Sequence, residues 1–306
     1  MSAAPRRSPG FDQGRLSLER DGRDWPNRDA SRFIEAGGMR WHFQRMGRGP
    51  TLFLLHGAGA ATHSWRALAP LLAREYDVVA IDLPGHGFTD PMRMGPPSLP
   101  GMARAIGVFL RTLEVEPAIV VGHSAGAAIL ARMALDRLIA PEALISLNGA
   151  FLPFEGLAGH LFPPIAKLLF LNPLAPRLFA WSADRATVGR LLRGTGSTID
   201  AQGLDLYTRL FGNAAHVEAV LAMMANWNLD QLGRDIGRLD MPVALIAAAG
   251  DKAVPPETAQ AILPRLRKGG IERLRGVGHL AHEEQPARIA DLVLGIARQA
   301  TPPEIN

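Results

Sequence analysis

Cysteine is absent from the 306-residue chain, which excludes disulfide bridges, thiolate metal sites and a cysteine nucleophile. Lysine and tyrosine are scarce, with only Lys167, Lys252, Lys268 and two tyrosines. Few groups therefore titrate between the histidines and the arginines, so a formal net charge of +4 places the isoelectric point near 10.1. Because the arginines are scattered along the chain, we expect a solvated basic surface and no nucleic-acid partner.

Long uninterrupted apolar runs are also missing. Residues 1–30 lack the apolar core of a signal peptide and are predicted to form a polar, flexible lead-in. The most apolar segment, Leu161–Trp181, is broken by four prolines, Lys167 and Arg177, which disfavours a membrane-spanning helix. We therefore expect a cytoplasmic protein. This segment leaves two alternatives open, an apolar lid or a peripheral contact with a membrane surface.

Short apolar runs alternate with segments of helical periodicity along most of the chain. The predicted strands are Met39–Phe43, Thr51–Leu55, Val78–Ile81, Ala118–Val121, Ala143–Leu147, Val243–Ala248 and Ile271–Leu274. The predicted helices include one through Trp65, Leu68, Ala69 and Leu72, then Met102–Leu113, Ala125–Leu135, Glu257–Leu266 and a last helix near residues 289–296. This alternation predicts an α/β fold with a mostly parallel central sheet and helices on both faces.

Residues 151–236 interrupt the alternation of strands and helices. They are rich in Leu, Phe, Pro and Met and contain no convincing strand. An insertion of about 85 residues is too long for an ordinary loop. The sequence therefore predicts a core formed by residues 31–150 and 237–306, with residues 151–236 inserted as a helical cap.

A five-residue motif, Gly122-His123-Ser124-Ala125-Gly126, joins a predicted strand to a predicted helix. This is the G-x-S-x-G nucleophile elbow, in which a sharp turn lifts the serine hydroxyl above the sheet. A chance glycine-rich turn is the alternative, but the strand-turn-helix setting favours Ser124 as a nucleophile.

Partners for such a serine follow later in the chain. Asp251 directly follows the strand Val243–Ala248, and His279 follows the last predicted strand. A lone loop histidine is usually structural, but the order Ser124, Asp251, His279 is that of a Ser-His-Asp triad on this kind of sheet. The backbone N–H groups of Ala58 and Ala125 are the predicted oxyanion hole.

At these residues the chain resembles the α/β-hydrolase superfamily, over roughly residues 31–150 and 237–300. Some enzymes of this type carry their acid after the strand Ala143–Leu147, where this chain has Asn148. Asparagine cannot act as a carboxylate, which leaves Asp251 as the acid. We expect Asp82 and His86 to shape a turn, and His56 and His123 to support the motifs.

Less generic segments carry a narrower resemblance, to the magnesium-chelatase accessory proteins of bacteriochlorophyll biosynthesis. These segments are Asp24-Trp25-Pro26-Asn27, Ser146-Leu147-Asn148-Gly149-Ala150, Asn172-Pro173-Leu174, Met223-Met224-Ala225-Asn226-Trp227 and Gly278-His279-Leu280-Ala281-His282-Glu283-Glu284. This resemblance covers nearly the whole chain and implies a role in photosynthesis, with a functional link to magnesium chelatase. It implies no particular reaction.

Two functions remain open on this basis. The first is a serine hydrolase acting on a small apolar acyl or tetrapyrrole substrate. The second is a non-catalytic accessory protein that binds a tetrapyrrole. Cap residues Phe154, Phe162, Trp181, Met223 and Trp227 are candidates for an apolar substrate pocket, although each fits an ordinary cap core as well. No metal or cofactor motif is present, so none is predicted.

Overall fold

A computed structural model describes residues 14–93, 95–153, 172 and 174–300, in which eight strands form one sheet. The strands are β1 Ser31–Ala36, β2 Met39–Met46, β3 Thr51–Leu55, β4 Asp77–Ile81, β5 Ile119–His123, β6 Ala143–Leu147, β7 Val243–Ala248 and β8 Gly269–Leu274. Their order across the sheet is β1-β2-β4-β3-β5-β6-β7-β8. The pairs β1–β2 and β2–β4 are antiparallel and the remaining pairs are parallel, which confirms the mostly parallel sheet.

The described residues also form helices, several of which cover both faces of this sheet. They are α1 Leu18–Asp21, α2 Ala69–Leu72, α3 Leu99–Thr112, α4 Ala125–Leu135, α5 Ala175–Ser182, α6 Arg185–Gly194, α7 Ala201–Phe211, α8 Ala214–Ala225, α9 Asp230–Asp235, α10 Pro256–Ile262, α11 Ala281–Glu284 and α12 Pro286–Ala300. Side chains alternate along β3, so that Phe53 packs in a core with α3 and α4 while Leu52 packs in a second core with α2 and α12. Burial on both faces explains why the central strands are continuous apolar runs.

The predicted helix through Trp65 and Leu72 is wrong in its continuity. The chain forms a 3₁₀ turn at Thr62–Trp65 and resumes as α2 at Ala69. Pro70 explains the break, because proline lacks an N–H and is tolerated in the first turn of a helix but not in its interior. The apolar spacing nevertheless reports burial correctly, since Trp65 and Leu72 are both fully buried.

A flexible lead-in is expected for residues 1–30, of which residues 1–13 lie outside the described part of the chain. Residues 14–30 differ from this expectation, because they pack against the rest of the molecule. Trp25 is buried, its ring meets that of Phe88 edge-on at 4.7 Å, and its Nε1 donates a hydrogen bond to Thr62 Oγ1 at 3.1 Å. Leu18 joins the same apolar cluster. A large aromatic side chain and one leucine are enough to anchor this otherwise polar segment.

Candidate active site

Ser124 occupies a strained turn between β5 and α4. Its backbone has φ 51° and ψ −118°, a conformation that residues other than glycine rarely adopt. A Cβ at Gly122 would lie 2.5 Å from the Ala127 backbone, and one at Gly126 would lie 2.1 Å from the Leu55 carbonyl oxygen. The turn therefore requires the two glycines of the motif at these positions, as an elbow does.

Asp251 and His279 form a hydrogen-bonded pair at the carboxyl ends of β7 and β8. His279 Nδ1 lies 2.7 Å from Asp251 Oδ2, and both residues are buried. The other carboxylate oxygen accepts hydrogen bonds from the backbone N–H groups of Ala253 and Val254, each at 2.8 Å. Because the carboxylate accepts at Oδ2, Nδ1 carries the proton and Nε2 is left as an acceptor.

Ser124 and His279 lie on adjoining loops but are not hydrogen-bonded to each other in the described part of the chain. The contact between the two loops runs through His123, whose Nε2 donates to the His279 carbonyl oxygen at 3.0 Å. The two imidazole rings lie 4.6 Å apart. Hydrogen bonds between a nucleophile and its base are often long before substrate binds, so this geometry is compatible with the predicted triad.

Asn148 supports the His279 loop, a role that sequence reasoning missed. Its Nδ2 donates to the carbonyl oxygens of His279 at 2.8 Å and Gly278 at 3.2 Å, while its Oδ1 accepts from the Ala248 N–H at 2.8 Å. Asn148 also has φ 50°, which asparagine tolerates better than most residues. Its place at the end of β6, beside β7, is the signal that could have indicated this role.

The two residues of the predicted oxyanion hole lie close to Ser124. Ala58 is exposed in the turn Gly57–Ala60, and a Cβ on Gly57 would lie 3.0 Å from Ser124 Cβ. Ala125 is the first residue of α4, so its N–H has no partner within the helix. Neither amide donates a hydrogen bond within the described residues, and both are therefore available to a ligand.

His56 forms hydrogen bonds that hold the turn carrying Ala58. His56 Nδ1 donates to the Gly57 carbonyl oxygen at 2.7 Å, and its Nε2 accepts from the Leu83 N–H at 2.9 Å. Burial lowers the pKa of His56, which keeps the ring neutral and able to donate and accept at once. His56 therefore supports this turn, as the sequence predicts.

The predicted cap-pocket residues have different surroundings. Phe154 and Phe162 lie outside the described residues. Trp181 is 88% exposed on α5, so its predicted place in an apolar pocket is not supported. Met223 is fully buried and Trp227 is half-buried, and both pack in the core that contains α3 and α4, which was the alternative interpretation. The phenylalanine positions stay predictions.

A buried polar network lies beside the His279 loop and was not predicted. Ser64 Oγ donates to Glu283 Oε1 at 2.6 Å and lies 2.8 Å from His282 Nε2. Tyr207 of α7 donates to the same Glu283 oxygen at 2.8 Å, and Arg66 forms an ion pair with Glu283. Burial raises the pKa of Glu283 and lowers that of His282 to about 3. The network thus joins the loop to α7, one of the helices between β6 and β7.

Within the described ranges, no group of three or more histidine, aspartate or glutamate side chains is arranged to hold a metal ion. Among the helices that the structure describes, none has the length and apolar character needed to cross a membrane.

Comparison with known proteins identifies the family. The profile of the alpha/beta hydrolase family matches residues 52–292. The chain is 38% identical to the magnesium-chelatase 30 kDa subunit of Rhodobacter capsulatus, over 89% of this chain and 95% of that protein. It is 27% identical to an uncharacterized hydrolase of Bacillus subtilis, over 82% of this chain and 90% of that protein. An alpha/beta hydrolase fold protein from Burkholderia ambifaria has a similar structure, with a TM-score of 0.74, 25% identity, and coverage of 87% of this chain and 98% of that chain. The chain belongs to the alpha/beta hydrolase family.

Proposed function

We propose that the protein is a serine hydrolase of esterase type, with Ser124 as nucleophile, His279 as base and Asp251 as the acid of the triad. The observation that carries the proposal is the strained turn at Ser124 beside two unpaired amides and a buried Asp–His pair. Strain of this kind persists where the surrounding structure enforces it, and it is concentrated at functional sites.

In this reaction Ser124 Oγ attacks the acyl carbon while His279 Nε2 takes the hydroxyl proton. Asp251 holds Nδ1–H and stabilises the imidazolium. The N–H groups of Ala58 and Ala125 stabilise the oxyanion of the tetrahedral intermediate. His279 then protonates the departing alcohol, and an acyl-enzyme remains. His279 then takes a proton from water, which attacks the acyl-enzyme, and returns that proton to Ser124 Oγ as the acid departs.

A small apolar acyl compound, including a tetrapyrrole ester, is the proposed substrate class. Support for a tetrapyrrole comes from the name of the Rhodobacter capsulatus relative, a magnesium-chelatase subunit. On that likeness we place the protein in or beside bacteriochlorophyll biosynthesis, near the magnesium-chelatase step. The alternative function is a tetrapyrrole-binding accessory protein that assists magnesium insertion and leaves Ser124 unused.

Labelling with a fluorophosphonate probe tests the proposal. Intact mass is measured after reaction of the wild type, Ser124→Ala and the control Ser182→Ala, which removes an exposed serine of α5. We expect one adduct on the wild type and on the control, and none on Ser124→Ala. A folded wild type without an adduct contradicts the hydrolase. Saturable absorbance changes on titration with magnesium protoporphyrin would then support the accessory role.

We also propose that the cap contacts a membrane surface through α5. Trp181 and Leu178 are 88% and 61% exposed, and Leu174, just before the helix, is 55% exposed at the matching i, i+4, i+7 spacing. The chain from Leu174 to Gly194 contains four arginines and one aspartate, which favours an anionic lipid surface.

Vesicle sedimentation tests this contact. We expect the protein to pellet with phosphatidylglycerol vesicles more than with phosphatidylcholine vesicles, and Trp181→Ser to lower the bound fraction. Leu191→Ser, an exposed leucine of α6, is the matched control and should bind like the wild type. Equal binding of wild type and Trp181→Ser would contradict the proposal.

A further inference from the structure

The turn Gly57–Ala60 is the glycine-rich part of the proposed site that carries the Ala58 amide. Ala58 lies between two glycines, and Gly59 adopts φ 80°. Glycine loses more conformational freedom on folding than other residues, so a turn of this composition needs outside contacts to stay in one conformation. An oxyanion hole depends on amide donors that are already in position before the reaction. Whatever holds this turn therefore bears directly on catalysis.

The second contact to this turn comes from His216 on α8, a helix between β6 and β7. His216 Nε2 lies 3.2 Å from the Gly59 carbonyl oxygen. Since a carbonyl can only accept, Nε2 carries the proton. His216 Nδ1 then accepts from the Gly87 N–H at 3.2 Å, in the turn after β4. One neutral ring thus joins two glycine-containing turns that are far apart in sequence.

The surroundings of His216 fix the ring itself. The residue is 2% exposed, and its own N–H donates to the side chain of Asn213, which caps α8. Burial lowers the pKa of His216 to about 4, so the ring is neutral at pH 7 as its two hydrogen bonds require. The rings of His86 and Phe211 meet it edge-on at 5.3 and 5.9 Å.

Close packing of α7 on one turn and of α8 on the other supports this arrangement. A Cβ on Gly59 would lie 3.0 Å from the Phe211 ring at the end of α7, and a Cβ on Gly85 would lie 2.5 Å from the Ala219 Cβ on α8. The two turns therefore lie directly beneath α7 and α8.

We propose that His216 is a positioning residue which fixes the turn Gly57–Ala60, and with it the Ala58 amide, from the cap side. The proposal rests on the proposed function for its catalytic consequence, but the positioning itself is a structural statement. His56 holds the carbonyl on one side of Ala58, and His216 holds the carbonyl on the other. Without His216, only the hydrogen bond from His56 would remain of these two side-chain contacts.

Two variants separate the roles of the ring. His216→Leu removes both hydrogen bonds, whereas His216→Gln keeps an N–H that can reach Gly59. Glu218→Leu, exposed on the same helix, controls for changes to α8. We expect hydrogen exchange of the Ala60 N–H, which donates to the Gly57 carbonyl oxygen at 3.3 Å, to quicken at least about tenfold in His216→Leu and to change little in the other two.

The rate constant for fluorophosphonate labelling gives the catalytic readout. A misplaced amide should lower it about 10- to 100-fold in His216→Leu, with His216→Gln within about threefold of wild type. Unchanged exchange in His216→Leu, or equal effects of Leu and Gln, would overturn the proposal. If exchange is faster in His216→Leu but even the wild type is never labelled, the positioning role is upheld and the hydrolase is rejected.

Discussion

The described part of the chain contains two Asp–His pairs that are nearly identical in their hydrogen bonds. Asp251 Oδ2 lies 2.7 Å from His279 Nδ1, and Asp82 Oδ2 lies 2.8 Å from His42 Nδ1. Each carboxylate also accepts two backbone N–H groups. His42 Nε2 even lies 3.0 Å from Ser31 Oγ, so by connectivity the Asp82 pair has the more complete set of serine, histidine and aspartate.

Their surroundings differ. The side chains of His42 and Asp82 are fully buried, whereas the His279 side chain keeps 10% of its surface exposed. Ser31 begins a regular antiparallel strand and its Oγ also meets Gln44 Nε2 at 3.2 Å. Ser124 lies on a strained turn beside two unpaired amides. Access and oxyanion donors, more than a chain of hydrogen bonds, therefore separate a candidate catalytic set from a structural one.

The largest expected effect is loss of reactivity in Asp251→Asn. The amide can donate to His279 Nδ1, which favours the wrong tautomer and leaves Nε2 without a lone pair for the serine proton. We expect the rate of fluorophosphonate labelling to fall about 10³- to 10⁴-fold, as for a triad aspartate. The melting temperature checks that the protein remains folded.

Asp82→Asn is the matched variant for that experiment. It changes the same atoms in the buried pair, and it should label within about threefold of wild type while folded. Loss of labelling in both variants with folding retained would contradict the distinction between the two pairs.

Removal of the buried carboxylate should have the next largest effect, on stability. Asp82→Ala removes the carboxylate that accepts from His42 and leaves the buried N–H groups of Thr62 and Phe88 without an acceptor. We expect the free energy of unfolding in urea to fall by about 3–5 kcal/mol, the usual cost of breaking a buried pair. Asp291→Ala, exposed on α12, is the control and should change it by less than about 0.5 kcal/mol.

The sequence predicts elements well where burial is continuous and local. The bounds of α4, β6 and β7 coincide with the apolar runs Ala125–Leu135, Ala143–Leu147 and Val243–Ala248. It also predicts the neighbours Asp251 and His279, because parallel strands end at one edge of a sheet. Asn148 and His216 were missed as supports because their roles depend on carbonyl groups more than 100 residues away in the chain.

Low pH should destabilise the surroundings of both Asp–His pairs, because a buried neutral histidine lies near each of them. Burial lowers the pKa of His282 to about 3 and that of His216 to about 4 from an ordinary 6.5. Below pH 6.5 the unfolded chain binds protons that the folded chain does not, so stability falls as the pH drops. Between its pKa in the folded chain and its pKa in the unfolded chain, each such histidine changes the free energy of unfolding by about 1.4 kcal/mol per pH unit.

The pH effect is measured by urea unfolding at pH 7, 6 and 5. His216→Gln removes one titrating group, so the decrease between pH 6 and 5 should be smaller by about 1 kcal/mol than in wild type. Identical slopes would mean that His216 binds its proton equally in both states.

Ser31→Ala should also have only a small effect, and on stability alone. This variant removes the hydroxyl that meets His42 Nε2 and Gln44 Nε2 at the half-buried start of β1. One or two neutral hydrogen bonds contribute about 1 kcal/mol each, so we expect a decrease of about 1–2 kcal/mol in the free energy of unfolding. Fluorophosphonate labelling should be unchanged, because Ser31 lies in a regular strand and its neighbour His42, on β2, is fully buried. A labelled Ser31 would mean that connectivity alone activates a serine, and the distinction between the two sets would then be lost.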